Sequence, residues 1–226
     1  TYVKTFGESV DFGKQLKIKT NASLTSGLLS AEGSPYSGST LSASGYDATS
    51  ASQCQIYTEA SSTIELYDSV LLHKQATSTY DNPWALFWDG QVTAKRSSLE
   101  NWWTVRLANA TTTLQDIVIT NVGEGLYIAA TQGASSTLET IKSRKTIEGG
   151  LYATSTASFT ITGLEISETG GEDIKLFNYN GTANFINSTL DWTSMQWNGS
   201  GSGQINKKYT YDLTVTDSAG VAVVDA

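Results

Sequence analysis

The chain has 226 residues, of which 59 are serine or threonine, two are proline and only 16% are charged, with a formal charge of −8. That length can bury a sizeable core in one large domain or two small ones, and a hydroxyl-rich composition suits β structure with a polar surface. An acidic surface repels phosphate backbones and anionic lipid, which argues against nucleic acid as a partner, and apolar runs of four to five residues, such as 126–130, are far too short for a membrane span.

The sequence opens at Thr1 without a basic and apolar leader, as a processed product or an excised segment would. Residues 1–55 hold one strand candidate, Gln15-Leu16-Lys17-Ile18-Lys19, and a Ser/Gly/Ala tract from Ser23 to Ser52 without helical period, so an N-terminal arm or cap is expected. Cys54, the only cysteine, excludes an internal disulfide and is expected to pack. From residue 56 to 200 short alternating runs recur between Gly, Asn, Ser and Thr: Thr63-Ile64-Glu65-Leu66, Thr104-Val105-Arg106-Leu107, Phe159-Thr160-Ile161 and Asp173-Ile174-Lys175-Leu176. No amphipathic helix pattern interrupts them.

Two columns emerge when these runs are laid under one another. Val70, Val92, Ile117, Ile141, Leu164 and Leu190 follow steps of 22, 25, 24, 23 and 26 residues, and Trp84, Val105, Leu126, Leu151, Ile174 and Trp197 follow steps of 21, 21, 25, 23 and 23. A unit of about 24 residues has too few apolar groups to close its own core and must stack on its neighbours. The expectation is an all-β parallel solenoid of about six coils, with alternate side chains pointing inward. A Greek-key sandwich also uses short strands but does not explain the two-column register.

The coils from Ser62 to Trp197, with strings such as Leu114-Gln115-Asp116-Ile117-Val118-Ile119-Thr120-Asn121, resemble the right-handed parallel β-helix of pectate-lyase-like proteins. The likeness implies the right-handed path. Residues 201–226 are expected to form a β-hairpin, a linker or the start of a further domain; the stretch from Tyr211 to Ala226 resembles the first hairpin of immunoglobulin-like surface modules, with Asp217-Ser218-Ala219-Gly220 as its turn.

Relatives of the β-helix fold cut or bind polysaccharides, which directs attention to carboxylates and aromatic rings. The Asn-Thr-Asp, Asp-Asp, His-Gly and Arg-Ile-Lys strings of polygalacturonase-like members do not occur, and His73, the only histidine, is followed by Lys74. The residues following the first column give one outward stack, Val118, Lys142, Glu165 and Asp191, in which Glu165 and Asp191 would lie about 5 Å apart beside Lys142. That trio is either a weak catalytic candidate or a solvated charge ladder. Lys142, Arg144 and Lys145 form the dense basic patch.

Among the aromatics, Trp84 and Trp88 share one side of a strand and are expected in the core, whereas alternation forbids both Trp102 and Trp103 from pointing inward on one strand, so one of them is expected to be exposed or at a coil corner. Trp102, Trp103, Tyr127 and Tyr152 are the glycan-binding candidates, with Tyr127 and Tyr152 one coil apart and expected to stack on the outside, as a strip for a glycan or protein partner or as a simple surface ladder. Asn21, Asn109, Asn180, Asn187 and Asn198 fit the N-glycosylation pattern. No cofactor and no metal cluster are expected.

These residues suggest an extracellular, cell-surface or virion protein with a structural, assembling or adhesive role and no catalysis. Its expected partners are copies of itself or neighbouring surface proteins, met through the terminal strands, with glycans as further candidates. A polysaccharide lyase or hydrolase, or a carbohydrate-binding module, is the alternative.

Overall fold

A computed structural model describes residues 3–5, 9–11, 16–18, 23–26, 40–43, 56–73, 86–88, 90–154 and 156–211. Among them there is no helix, and the strands pair in parallel throughout. The chain is a parallel β-solenoid whose turns each visit three faces. β1 (Val3–Thr5), β2 (Ser9–Asp11) and β3 (Leu16–Ile18) are followed by β4 (Ser23–Ser26), β5 (Thr40–Ala43) and β6 (Ile56–Thr58), then by β7 (Thr63–Tyr67), β8 (Val70–His73) and β9 (Leu86–Trp88). β10 (Gln91–Glu100) with β11 (Thr104–Leu107), β12 (Thr112–Thr120) with β13 (Glu124–Ile128), and β14 (Thr137–Arg144) with β15 (Gly149–Thr154) make the next three turns. β16 (Phe159–Thr162), β17 (Glu165–Ser167) and β18 (Glu172–Phe177) precede β19 (Thr182–Ile186) and β20 (Met195–Asn198), and β21 (Gln204–Lys208) is the last described strand.

Six turns run from Thr63 to Asn198, as a repeat of about 24 residues requires. The ladders also cross both expected domain boundaries: β4 pairs β7, joining strands on either side of residue 55, and β21 pairs β19, joining strands on either side of residue 200. Cys54, Trp84 and residues 212–226, with the hairpin expected there, lie outside the described residues, as do the side chains of His73 and Trp88.

Corners explain why β10, β12 and β14 are long. Each crosses from the first face to the second without leaving the ladder except at one residue in the left-handed region, Arg96 (φ 48°), Asp116 (φ 56°) and Thr140 (φ 52°). Lys95 pairs Gln115 and Ser97 pairs Ile117, so the corner residue alone drops out. Asp68, Gly163 and Asn187 hold the same position in other turns, and Asn101, Asn121, Lys145 and Glu168 form a second left-handed corner. Asn, Asp and Gly tolerate this region; a β-branched residue such as Thr140 adopts it at a cost.

The interior is a set of aliphatic ladders. Val105, Leu126, Leu151, Ile174 and Met195 stand in register. Beside them runs the column Leu107, Ile128, Ala153 and Leu176, every member 0% exposed. Each such Leu or Ile contributes roughly 1.5–3 kcal/mol by leaving water. Ser143 sits in a comparable inward position, and its hydroxyl donates to the Gly150 carbonyl at 2.9 Å, so no polar atom is stranded there.

The expected columns thus hold in their middles and slip at their ends. Met195, not Trp197, stands against Ile174, because residues two apart on a strand face the same way and either satisfies an apolar pattern. In the other column Val92 pairs Thr112 and Val70 pairs Ser98, whereas Ile117 and Ile141 do pair. The corner residue shifts the alternation there, which a strict two-residue period does not foresee.

Candidate functional surfaces

On the outer side of the third face Arg106, Tyr127, Tyr152, Lys175 and Gln196 stack in register. Tyr127 and Tyr152 meet edge to face at 6.2 Å, Phe177 stacks on Tyr152 at 6.0 Å, and Arg106 and Lys175 each lie 5.4 Å from a tyrosine ring centre. Tyr127 and Tyr152 are neighbours as expected, but edge to face rather than stacked, and Tyr152 is only 2% exposed. Its ring is packed against its neighbours, leaving little of it to seat a sugar.

Alongside runs a column of Glu124, Gly149 and Glu172, with Glu148 preceding the glycine. A β-carbon at Gly149 would stand 3.0 Å from the Tyr152 ring, so glycine is what lets the ring lie over this rung. The Tyr152 hydroxyl reaches Glu148 at 3.5 Å, and Lys175 pairs Glu172 at 3.2 Å. Burial, and then the negative charge of Glu148, push Glu124 up to about 7, with Lys175 opposing. Burial, followed by Glu124, Glu148 and Glu172, raises Tyr152 well above the ordinary tyrosine value. Glu124 therefore keeps its proton to higher pH than an ordinary carboxyl does. Sequence reasoning passed over Glu124 and Glu148, although Glu124 precedes Gly-Leu-Tyr and Glu148 precedes Gly-Gly-Leu-Tyr, one residue out of register, in successive turns.

On the second face Lys142 pairs Glu165 at 3.0 Å, with side chains 48% and 45% exposed, the geometry of a solvated ion pair. The rung above Glu165 offers Thr189, not Asp191. Asp191 lies two residues further on; its carboxylate accepts from the Thr193 N–H at 2.9 Å and hydroxyl at 2.6 Å, and the hydroxyl bond chiefly holds its pKa down. The expected trio is thus a pair plus a separate turn-forming aspartate. Of the basic patch, Lys142 and Arg144 are exposed on β14 and Lys145 occupies a left-handed corner.

Trp102 and Trp103 are both buried, at 0% and 4% exposure, so neither is the exposed ring expected and the coil-corner alternative is the one met. They lie in the corner after Asn101 rather than along a strand, so alternation does not govern them. Trp102 donates its indole N–H to the Leu71 carbonyl at 2.9 Å. Trp103 packs on Gly123, where a β-carbon would overlap the indole. Neither ring is a surface platform.

Four sequon asparagines are described, and Asn21 lies outside. Asn109 accepts from the Thr111 N–H at 2.8 Å, and the Asn198 amide donates to Gln196 at 3.0 Å. Asn180 accepts from the Ser202 N–H at 2.9 Å, and Asn187 accepts from the Thr210 N–H at 3.0 Å while donating to its hydroxyl. The exposed Asn180 and Asn187 side chains thus tie one turn to the next.

At the C-terminal end β20 and β21 are each the last strand of their sheet. Trp197 continues the column of Leu107, Ile128 and Leu176 but is 44% exposed, and Trp192, Met195 and Ile205 are only partly covered. Lys207 lies 5.0 Å over the Trp192 ring, and Trp197 meets Tyr179 edge to face at 6.1 Å. No groups able to hold a metal ion occur among the described residues. No protein-family model, curated protein or solved structure matches the chain.

Proposed function

We propose that the chain is a non-catalytic building block of an extracellular, cell-surface or virion assembly, related in design to the right-handed pectate-lyase-like β-helices, that joins copies of itself or neighbouring surface proteins end to end. The observation that carries this reading is Trp197, an interior-column side chain of the edge strand β20 that is left 44% exposed. Open strand edges over an apolar end favour further pairing.

Mass photometry and electron microscopy over a wide concentration range test the idea. Ordered end-to-end particles that disperse in a Trp197→Asp variant are expected. A wild-type chain that stays monomeric at high concentration would overturn it.

A further inference from the structure

The connection from the third face back to the first takes four residues after β11, β15 and β18, but eight after β13, residues 129–136. The step of 25 residues from Leu126 to Leu151, against 21 before it, carries the same insertion in the sequence. Insertions in solenoid turns map to one face, often the binding face.

This loop is fastened to both neighbouring turns. Toward the preceding turn, the Gly133 N–H donates to the Ala110 carbonyl at 2.7 Å, the Gln132 amide to Asn109 at 2.9 Å, and the Ser136 hydroxyl to Ala110 at 2.9 Å. Toward the following turn, the Gln132 N–H donates to Ser158 at 2.8 Å and the Thr131 hydroxyl to Thr156 at 2.9 Å. Such anchoring holds the loop in place before any ligand arrives, which lowers the ordering cost of binding.

Under the loop lies a groove of about 290 Å³, lined by Gln132, Ser136, Phe159, Thr160, Thr182 and Asn184 among other uncharged residues. That volume is near the lower end of the roughly 300–1,000 Å³ typical of ligand sites. Not one lining residue is charged, on a chain of charge −8, so the groove has no partner for an ionic ligand. Its only aromatic, Phe159, is 3% exposed, so it offers little to an apolar one.

What remains is hydroxyl and amide chemistry with capacity to spare. Thr160 accepts from the Asn184 amide at 3.3 Å and keeps its own proton to donate. The Asn184 carbonyl oxygen accepts from Asn206 at 3.0 Å and retains a second lone pair. Rotatable hydroxyls that either donate or accept suit a ligand whose groups do the same.

We propose that this groove binds a neutral saccharide. The site is independent of end-to-end assembly, so its test stands whether or not the chain polymerises. The whole chain is titrated calorimetrically with neutral gluco-, manno- and xylo-oligosaccharides and with oligogalacturonate as the anionic comparison. The backbone amide NMR spectrum reports where binding occurs and whether each variant is folded.

The expected result is binding of a neutral oligosaccharide at millimolar concentration or below, with shifts in residues 132–136, 158–160 and 182–184. Asn184→Ala and Thr182→Val, which alter part-exposed side chains, should each weaken it about tenfold, the loss of roughly one hydrogen bond. Lys142→Ala, on another face, should leave it unchanged. Absence of binding by every neutral oligosaccharide, preference for oligogalacturonate, or binding indifferent to both groove variants would each overturn the proposal.

Discussion

Replacing Glu124 by glutamine should change how stability depends on pH. Glu124 lies part-buried on the third face, beside Glu148 and under the weak opposing influence of Lys175, and its carboxyl is pushed from 4.5 up to about 7. The folded pKa exceeds the unfolded one, so between these values the native state holds a proton that the unfolded chain has released. Stability from this group is complete below pH 4.5 and is lost as pH rises through 7. At 1.36 kcal/mol per pH unit the interval corresponds to about 3 kcal/mol, which solvent screening at this partly open site reduces to about 1–2 kcal/mol. Urea titrations of wild type and Glu124→Gln from pH 4.5 to 8 measure it. The variant minus wild-type difference should grow in the variant's favour by that amount and level off above pH 7. Parallel curves would refute the reasoning, because glutamine removes the titration and leaves the packing nearly intact.

Other substitutions probe the remaining features. Trp102→Ala should cost about 3–5 kcal/mol in denaturant unfolding, as expected for a fully buried indole; a cost under about 0.5 kcal/mol would return Trp102 to the surface. Thr140→Asn should stabilise by about 0.5–1 kcal/mol, since asparagine accepts the left-handed φ of 52° that strains threonine, and a loss of stability would contradict the corner assignment. A double-mutant cycle on Lys142 and Glu165 should give coupling under about 1 kcal/mol that high salt removes; a larger, salt-resistant coupling would mean the pair is not simply solvated.

The period of the solenoid was legible because stacking forces apolar residues to recur once per turn, and Val105, Leu126, Leu151 and Ile174 do stand in one ladder. Its ends were not, because Met195 and Trp197 differ by two positions and point the same way. Corners were partly readable: Asn101, Asn121 and Gly163 belong to residue types that favour left-handed backbone, but Arg96, Thr140, Lys145 and Glu168 carry no such signature. Asp191 was set beside Glu165 where Thr189 stands because the two positions lie two residues apart, a slip that alternation does not detect. The burial of Trp103 depends on Gly123, twenty residues later in sequence and adjacent only once the register is known. The sealed state of Tyr152 likewise depends on Phe177 and Lys175 from the following turn.

The register itself can be tested by paired cysteines. Val118 and Lys142 face each other on neighbouring turns, 24 residues apart in sequence, both on the outer side. Parallel neighbours lie about 4.8 Å apart, within the span that a disulfide bridges. In a Cys54→Ala background, Val118→Cys with Lys142→Cys should oxidise rapidly and completely without loss of fold, whereas Val118→Cys with Ser143→Cys, whose second position points inward, should not. Equal closure of both pairs, or closure of the second alone, would contradict the solenoid register on which every surface described above depends.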